Sequence, residues 1–373
     1  MLTRADFLIR DDIIFLNHGS FGACPKPVFE RYQAWQLELE QQPIDFLLRR
    51  RAELMAGARA RIADYFAVPA NEIVFVANTT TGLSRAFRSL PLQRGDEILT
   101  TDHEYGAVDR LLDFVAGRTG ARIVRSHVRT PYISDAVFVD DLFADATVNT
   151  RAIVISHITS PTSLIFPVAQ VCQRAREHGI LTIIDGAHAP GQLPVNLSAI
   201  GADMYSGNFH KWVCAPKGSG FLHVQPEHHA LIDPLVISHG FYEGSDFIER
   251  NEWLGTQDIA AYLSVPTALD YQSAHNWREV TTECHRLAAR TQTRLCDIYG
   301  LTPFSENQFS QMVTIPLPES DVDALRRRLL DEYRIEVPVG RFAEQCEIRV
   351  SVQAYNTSDE LERLVEALTT LIG

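Results

Sequence analysis

The sequence predicts an α/β protein with a mostly parallel sheet and a smaller α+β unit at its C-terminal end. Two observations carry this prediction. Between residues 72 and 224, short runs of β-branched and apolar residues alternate with helical patterns, as they do in βαβ units. From residue 311 onward the order changes to strand, helix, strand, strand and helix, which is typical of an α+β unit.

The first predicted elements are helices. Residues 28–66 keep a helical spacing of apolar side chains, and Pro43 is expected to divide them because proline interrupts helical hydrogen bonding. Helices are also expected at 80–89, 106–117 and 167–178. The β-rich runs that predict the main sheet lie at 73–77, 97–101, 122–128, 152–157, 180–185, 203–206 and 219–224.

The C-terminal part begins with a long helical connection over residues 258–298. Strands are then expected at 311–316, 335–338 and 348–352, with helices at 322–332 and 358–372. We therefore predict a large domain over residues 15–260 and a small domain formed by residues 1–14 plus 261–373.

Composition excludes several classes of function. The chain has 373 residues, 46% of them apolar, and a net charge of −13, so it lacks the basic footprint of a nucleic-acid-binding protein. Its apolar stretches are too short to span a bilayer, and no signal peptide is visible at the N-terminus. The six cysteines form no CxxC pair, and no histidine cluster has metal-ligand spacing. We expect a cytoplasmic protein with reduced thiols and no metal site.

The basic residues are nearly all arginine, and the three lysines are Lys26, Lys211 and Lys217. Lys211 follows an apolar strand and lies between Phe209 and Trp212. An apolar pocket lowers the pKa of a lysine and makes its amine nucleophilic, which suits a Schiff base with an aldehyde cofactor.

Two further groups are expected at the ends of strands. Asn78-Thr-Thr-Thr opens a helix and predicts an anion site, and Asp185 ends the strand at 180–185. An anion site, a carboxylate and a lysine together match pyridoxal 5′-phosphate. Its phosphate needs the helix N-terminus, its ring nitrogen a carboxylate, and its aldehyde an amine.

The order of motifs resembles the class V aminotransferase family, and within it the isopenicillin N epimerase-like branch, which is related to the cysteine desulfurases. The motifs are Asn17-His-Gly-Ser, Asp102-His-Glu-Tyr, Asp185-Gly-Ala-His, Gly207-Asn-Phe-His-Lys-Trp, Gly255-Thr-Gln-Asp and Ile348-Arg-Val-Ser. The resemblance implies the fold type I architecture of pyridoxal-phosphate enzymes, with a seven-stranded large domain, a small C-terminal domain and a homodimer with shared active sites.

The resemblance also implies roles for individual residues. Lys211 would form the Schiff base, Asp185 would pair with the ring nitrogen, and His188 would contact the ring hydroxyl. The phosphate would be held by Thr79, Thr80, Ser206 and His210, and reached from the neighbouring subunit by Gly255 and Thr256. Tyr105 would stack on the ring, with His103 as its rival. Arg349 would bind the substrate α-carboxylate, beside Asn17 and Ser160.

The reaction remains open at this stage. Lys211 would remove the Cα proton of an amino acid bound as an external Schiff base, after which epimerisation, carbon–sulfur β-lysis or transamination is possible. Epimerisation needs a second proton donor, for which Tyr105 or water is the candidate. Cys346 is expected to be structural, which argues against desulfurase chemistry. A non-catalytic or metal-binding protein, using Asp102, His103, Glu104, Asp185 and His188, is the alternative of a different class.

Overall fold

The computed structural model describes residues 2–372. Its strands are β1 (Ile14–Phe15), β2 (Ile73–Val76), β3 (Glu97–Thr101), β4 (Arg122–Ser126), β5 (Thr150–Ser156), β6 (Leu181–Gly186), β7 (Met204–Asn208), β8 (Gly220–Val224), β9 (Met312–Pro316), β10 (Ile335–Glu336), β11 (Val339–Phe342) and β12 (Gln345–Ser351). Its α-helices are α1 (His18–Phe21), α2 (Lys26–Gln41), α3 (Arg51–Phe66), α4 (Thr79–Arg88), α5 (Gly106–Thr119), α6 (Asp135–Ala144), α7 (Val168–Glu177), α8 (Leu197–Ile200), α9 (Phe247–Glu252), α10 (Ala260–Leu263), α11 (Val265–Ala274), α12 (Trp277–Tyr299), α13 (Val322–Tyr333) and α14 (Ser358–Ile372).

The main sheet has seven strands in the order β2-β8-β7-β6-β5-β3-β4. Neighbouring strands from β4 to β7 are parallel, and β8 is antiparallel to both of its neighbours. The predicted α/β class with a mostly parallel sheet is therefore confirmed. Asp185 of β6 lies in register between Ser156 of β5 and Ser206 of β7, so the predicted carboxylate stands at the centre of the sheet.

Both faces of this sheet are buried, which explains why its strands are continuous apolar runs. On β5, Ile153 and Ile155 pack into one core while Ala152 and Val154 pack into the other, because successive side chains of a strand point to opposite faces. Helices cover both faces. As expected from Pro43, the long N-terminal helical region divides, with α2 ending at Gln41 and α3 beginning at Arg51.

A second core forms around the antiparallel sheet β11-β12-β9, packed against α12, α13 and α14. The N-terminal segment also belongs to this core, because β1 pairs with β10 and Leu16 is fully buried there. Helix α11, by contrast, packs its Val265, Ala268 and Leu269 into the main core. We therefore propose that the two units divide between α11 and α12, about fifteen residues beyond the boundary at 260 that the sequence predicts.

None of the helices within residues 2–372 is both long enough and apolar enough to cross a lipid bilayer.

Aromatic packing beneath the sheet generates a prediction about stability. Phe66 is fully buried at the end of α3, and its ring centroid lies 4.3 Å from that of Phe221 on β8. We expect Phe66→Ala to lower the free energy of unfolding by about 3–5 kcal/mol, since it removes a large buried ring and leaves a cavity. Urea denaturation followed by circular dichroism measures this. Phe114→Ala is the matched control, because 44% of Phe114 is exposed. Equal losses in both variants would contradict the prediction.

Candidate active site

A cleft of about 320 Å³ opens where strands β5, β6 and β7 end. Ligands of open α/β sheets bind at this edge, and the volume falls at the lower end of the usual range for small-molecule sites. The cleft is lined by Ser20, Phe21, Ala77, Asn78, Thr79, Thr80, Tyr105, Ser156, Ile158, Ser160, Asp185, Ala187, His188, Asn208, His210, Lys211, Lys217 and Gly218.

Lys211 lies in the loop that follows β7, and the N-terminal segment fixes its backbone. The Nε2 atom of His18 is 2.9 Å from the Lys211 carbonyl oxygen. Gly22 adopts φ +70° and passes so close to this loop that a Cβ would lie 1.8 Å from the His210 carbonyl oxygen, so a side chain is excluded there. The lysine that the sequence singled out is therefore held on a rigid support.

The Lys211 amine is 3.1 Å from Nε2 of His188. Burial and the positive charge of Arg349 lower the pKa of Lys211 to about 7, and the Asp185 carboxylate acts in the opposite direction. An amine with such a pKa is substantially unprotonated at neutral pH and can act as a nucleophile or a base.

Asp185 is buried beneath the cleft and is 4% exposed. Its Oδ1 atom accepts a hydrogen bond of 2.8 Å from the backbone N–H of Ala187. Burial raises the pKa of Asp185, while this N–H and the charge of Lys211 favour the carboxylate form. The Asp185 carboxylate could pair with a cationic group bound in the cleft, and burial would keep water from screening that interaction.

Glu104 is a second buried acid, which the sequence analysis considered only as a metal ligand. Its carboxyl group accepts hydrogen bonds of 2.7 Å from the hydroxyls of Thr101 and Ser156. Burial raises the pKa of Glu104 to about 7, and the nearby charge of Asp185 acts in the same direction. Glu104 thus supports Ser156, which lines the cleft beside Asp185.

Helix α4 begins at the cleft and presents an anion site. Asn78 caps the helix by accepting a hydrogen bond from the backbone N–H of Thr81, and the N–H of Thr79 donates to Oδ1 of Asn208 at 2.9 Å. The Thr79 hydroxyl is buried and has no partner among the described residues. An orphaned hydroxyl at a helix N-terminus points to an acceptor that comes from outside the chain.

The expected phosphate ligands do not all reach the cleft. Thr79, Thr80 and His210 line it, but Ser206 does not. The Ser206 hydroxyl donates to the Phe221 carbonyl oxygen at 2.7 Å, because Ser206 lies deeper in β7 beneath α4. The phosphate role expected for Ser206 therefore stays a prediction that the lining of this cleft does not support. Asn208, at the end of the same strand, lines the cleft instead.

The structure distinguishes between Tyr105 and His103, the two candidates for stacking on the cofactor ring. Tyr105 lines the cleft and is 49% exposed. His103 is buried away from the cleft wall, with its Nδ1 atom 2.7 Å from the Thr162 hydroxyl and its ring against Phe342. The geometry therefore favours Tyr105.

Arg349 lies on β12 and does not itself line the cleft, but it donates hydrogen bonds to two serines that do. Its Nη1 atom donates to the Ser160 hydroxyl at 2.8 Å, and its Nη2 atom donates to the Ser20 hydroxyl at 3.1 Å. The Arg349 Nε atom is buried without a partner among the described residues. Asn17 does not line the cleft but accepts a hydrogen bond from Ser20, so it acts through that serine. Ser20 itself was missed by the sequence analysis.

Gly255 and Thr256 are not among the residues that line this cleft. Their implied role concerns the site of a neighbouring subunit, which a single chain does not contain, so that role stays a prediction. Within residues 2–372, no group of three or more His, Cys, Asp or Glu side chains has the geometry of a metal site.

The sequence model of a family described as Aminotransferase class-V matches residues 23–364. The chain is 34% identical over 377 residues to isopenicillin N epimerase of Amycolatopsis lactamdurans, covering 95% of this chain and 94% of that protein. It is 29% identical over 406 residues to putative L-cysteine desulfhydrase 1 of Oryza sativa subsp. japonica, covering 96% and 83%.

Two solved structures share the fold. A C-DES mutant with glycine covalently linked to its PLP cofactor superposes with a TM-score of 0.86 at 22% identity, covering all of both chains. The apo structure of cysteine desulfurase from Thermococcus onnurineus NA1 has a TM-score of 0.84 at 20% identity, covering 99% of this chain and 97% of that chain. The fold type I architecture expected from the sequence is confirmed.

The lysine geometry generates a prediction about reactivity. We expect Lys211 to capture pyridoxal 5′-phosphate as a borohydride-reducible imine, with a yield that rises as the pH rises through about 7, because the unprotonated amine is the nucleophile. Reduction at a series of pH values, followed by peptide mass spectrometry, measures this. Lys26 and Lys217 serve as internal references, and Lys211→Arg should abolish the adduct. A predominant adduct on another lysine would contradict the assignment.

Proposed function

Because the chain belongs to the aminotransferase class-V family of pyridoxal-phosphate enzymes, we propose that it removes and returns the proton on the α-carbon of an amino acid, as an epimerase does. The observation that carries this proposal is the placement of the Lys211 amine, whose pKa is lowered to about 7, in the same cleft as the buried carboxyl group of Asp185. The 34% identity with an isopenicillin N epimerase supports the same reading.

The residues of the cleft fit the cofactor. The orphaned Thr79 hydroxyl, the start of α4 and Thr80 would hold its phosphate, together with His210 and Asn208. Asp185 would pair with the ring nitrogen, His188 would contact the ring hydroxyl, and Tyr105 would stack on the ring. When bound, the cofactor supplies an electron sink that acidifies the Cα–H bond of an attached amino acid.

His210 must change its charge to bind phosphate well. Its Nδ1–H faces the Ser219 carbonyl oxygen at 3.2 Å, which leaves Nε2 as an acceptor in the neutral ring. Burial lowers the pKa of His210 to about 4, with the positive charge of Lys211 adding to the effect. A phosphate dianion beside the ring would raise this pKa and convert Nε2 into a charged donor.

Proton movement at Cα is assigned to Lys211 and Tyr105. The Lys211 amine acts as the base at neutral pH because its lowered pKa leaves a substantial fraction of it unprotonated. An epimerase needs a second group to deliver a proton to the other face of Cα. Tyr105 comes from the loop before α5, separate from the Lys211 loop, and its side chain is exposed in the cleft. We assign it that role.

Arg349 would bind the α-carboxylate of the substrate. Its guanidinium group already faces the hydroxyls of Ser20 and Ser160 at the cleft wall. These hydroxyls orient the two Nη atoms, and a carboxylate would accept two parallel charge-assisted hydrogen bonds from such a pair. Asn17 fixes Ser20 from behind.

Carbon–sulfur β-lysis is the second candidate function, with transamination as a further outcome of the same proton removal. Lysis needs the Lys211 base and a sulfur leaving group on Cβ but no second acid, and the desulfhydrase-like relative supports it. Desulfurase chemistry has no support, because no cysteine is among the residues that line the cleft. Cys346 lies on β12, 1% exposed.

We also propose a homodimer in a reducing compartment such as the cytoplasm. Within the described residues all six cysteines are unpaired, as expected of a protein kept in reducing conditions. Leu235, Val236, Ile237 and Phe241 are exposed in the segment before α9, which supports an interface there. Gly255 and Thr256, shortly after α9, would then reach the phosphate of the neighbouring subunit.

Incubation with a panel of amino acids in deuterated water tests the reaction. An epimerase gives deuterium at Cα with inversion of configuration. Pyruvate with released thiol indicates the lyase, and a keto acid with aminated cofactor indicates a transaminase.

We expect Tyr105→Phe to slow inversion by about 100-fold or more, while deuterium still enters with retention through Lys211. Tyr333→Phe, on α13, is the control. Undiminished inversion in Tyr105→Phe would remove that residue from the mechanism.

The carboxylate clamp generates a separate prediction. We expect Arg349→Ala to raise KM for α-amino acids by about 10- to 100-fold, because it removes two charge-assisted hydrogen bonds. Steady-state kinetics on the reactive amino acid, compared with imine formation by its decarboxylated amine, measures this. Arg341→Ala, on the neighbouring strand and paired with Glu319, is the control. If wild-type protein bound the amine as tightly as the amino acid, the clamp would be excluded.

A further inference from the structure

His188 is held between two nitrogen atoms. Its Nδ1 atom lies 3.3 Å from Nε1 of Trp212, and its Nε2 atom lies 3.1 Å from Nζ of Lys211. His188 and Trp212 are 3% and 0% exposed, so the contact between Nδ1 and the indole N–H is shielded from bulk water. The backbone of His188 is also fixed, because its carbonyl oxygen accepts a hydrogen bond of 2.6 Å from Gln192.

The chemistry of the indole determines where the His188 proton lies. An indole N–H donates and cannot accept, so Nδ1 of His188 must accept the Trp212 hydrogen bond with its lone pair. A neutral imidazole has one donor and one acceptor, which leaves the proton on Nε2. His188 is neutral at ordinary pH, because burial and the positive charges of Lys211 and Arg349 hold its pKa well below the usual value.

The tautomer in turn determines the state of Lys211. An Nε2–H group that faces Lys211 can bond to its amine only if that amine is unprotonated and accepts. An ammonium group would place two donors against each other. Trp212 is therefore coupled to the protonation of Lys211 through the His188 ring, although it does not itself line the cleft.

We propose that the Trp212 N–H is a positioning group that locks His188 in its Nε2–H tautomer and so presents a fixed hydrogen-bond donor to the Lys211 side of the cleft. The inference deepens the proposed function, because the donor faces the group that carries the chemistry. A buried tryptophan beside the lysine is thereby assigned a role through its N–H that its packing alone does not supply.

The local backbone supports this assignment. Gly191, in the same turn as His188, adopts φ +90°, and a Cβ there would lie 2.3 Å from the Trp212 carbonyl carbon. The turn and the tryptophan are thus in direct backbone contact, which keeps the two rings at a fixed separation. The Trp212 carbonyl oxygen is anchored separately by a hydrogen bond of 2.8 Å from Gln272.

The test removes the N–H of Trp212 and measures the tautomer of His188 and the titration midpoint of Lys211. The proteins are the cofactor-free full-length wild type, Trp212→Phe, and a chain with 3-benzothienylalanine at position 212, which keeps the bicyclic shape but lacks the N–H. Circular dichroism reports folding. Trp35→Phe is the matched control, because Trp35 donates to the Leu263 carbonyl oxygen far from the cleft. The benzothienyl chain keeps the test decisive if Trp212→Phe fails to fold.

Two measurements follow. Nitrogen-15 spectra of histidine-labelled protein report the His188 tautomer, and His188→Gln assigns its signals. Competitive acetylation across a pH series reports the titration midpoint of each lysine, with the exposed Lys26 as reference. The charged or titratable groups that act on Lys211 or on His188 are Asp185, Arg349 and His210, and the variants leave them in place.

We expect the wild type to show the Nε2–H tautomer. Loss of the Trp212 N–H should mix the tautomers and raise the Lys211 midpoint by about 0.5–1 pH unit, the equivalent of one ordinary hydrogen bond. Adding His188→Leu should cancel that shift, because leucine has no polar atom that could carry the effect from position 212 to Lys211. An unchanged tautomer and midpoint in either variant would overturn the proposal. Failure of the wild type to bind pyridoxal 5′-phosphate would refute the proposed function instead, since these measurements need no cofactor.

Discussion

The burial of one amine determines how the rest of this site is built. Lys211 can be held unprotonated near neutral pH only if desolvation and a nearby cation outweigh the attraction of Asp185. The protein meets that condition by burying the amine beside a neutral His188, where the positive charge of Arg349 also acts on it. The sheet supplies the opposing charge, because strand register sets Asp185 at its centre.

Much of this arrangement follows from sequence periodicity. Lys211, Asp185 and Thr79 each follow an apolar strand, and parallel strands end at one edge of the sheet, so their proximity could be predicted. The division at Pro43 followed from the chemistry of proline. The strands of the main sheet could also be predicted, because strands buried on both faces are continuous apolar runs.

The remaining features depend on three-dimensional contacts that leave no periodic signal. Ser206 and Asn208 are two residues apart on β7, yet Asn208 lines the cleft while the Ser206 hydroxyl donates to the Phe221 carbonyl oxygen. Ser20 and its neighbour Phe21 are distant in sequence from the other cleft residues and arrive there because Gly22 allows a close backbone approach. Strand β11 was missed because Val339-Gly-Arg-Phe lacks a clear apolar alternation.

The N-terminal segment has a mechanical consequence. Strand β1 pairs with β10 and Leu16 packs in the C-terminal core, while Ser20, four residues later, meets Arg349 from the same core. The segment between Leu16 and Gly22 therefore links the C-terminal core to the Lys211 loop, because His18 contacts the Lys211 carbonyl oxygen and Gly22 packs against His210. Ser20 lies within this link, so its contact with Arg349 ties the carboxylate-binding arginine to the same short stretch of chain that supports the lysine. A displacement of the C-terminal core would strain this stretch, and the spacing between the substrate carboxylate and the base is thereby kept constant.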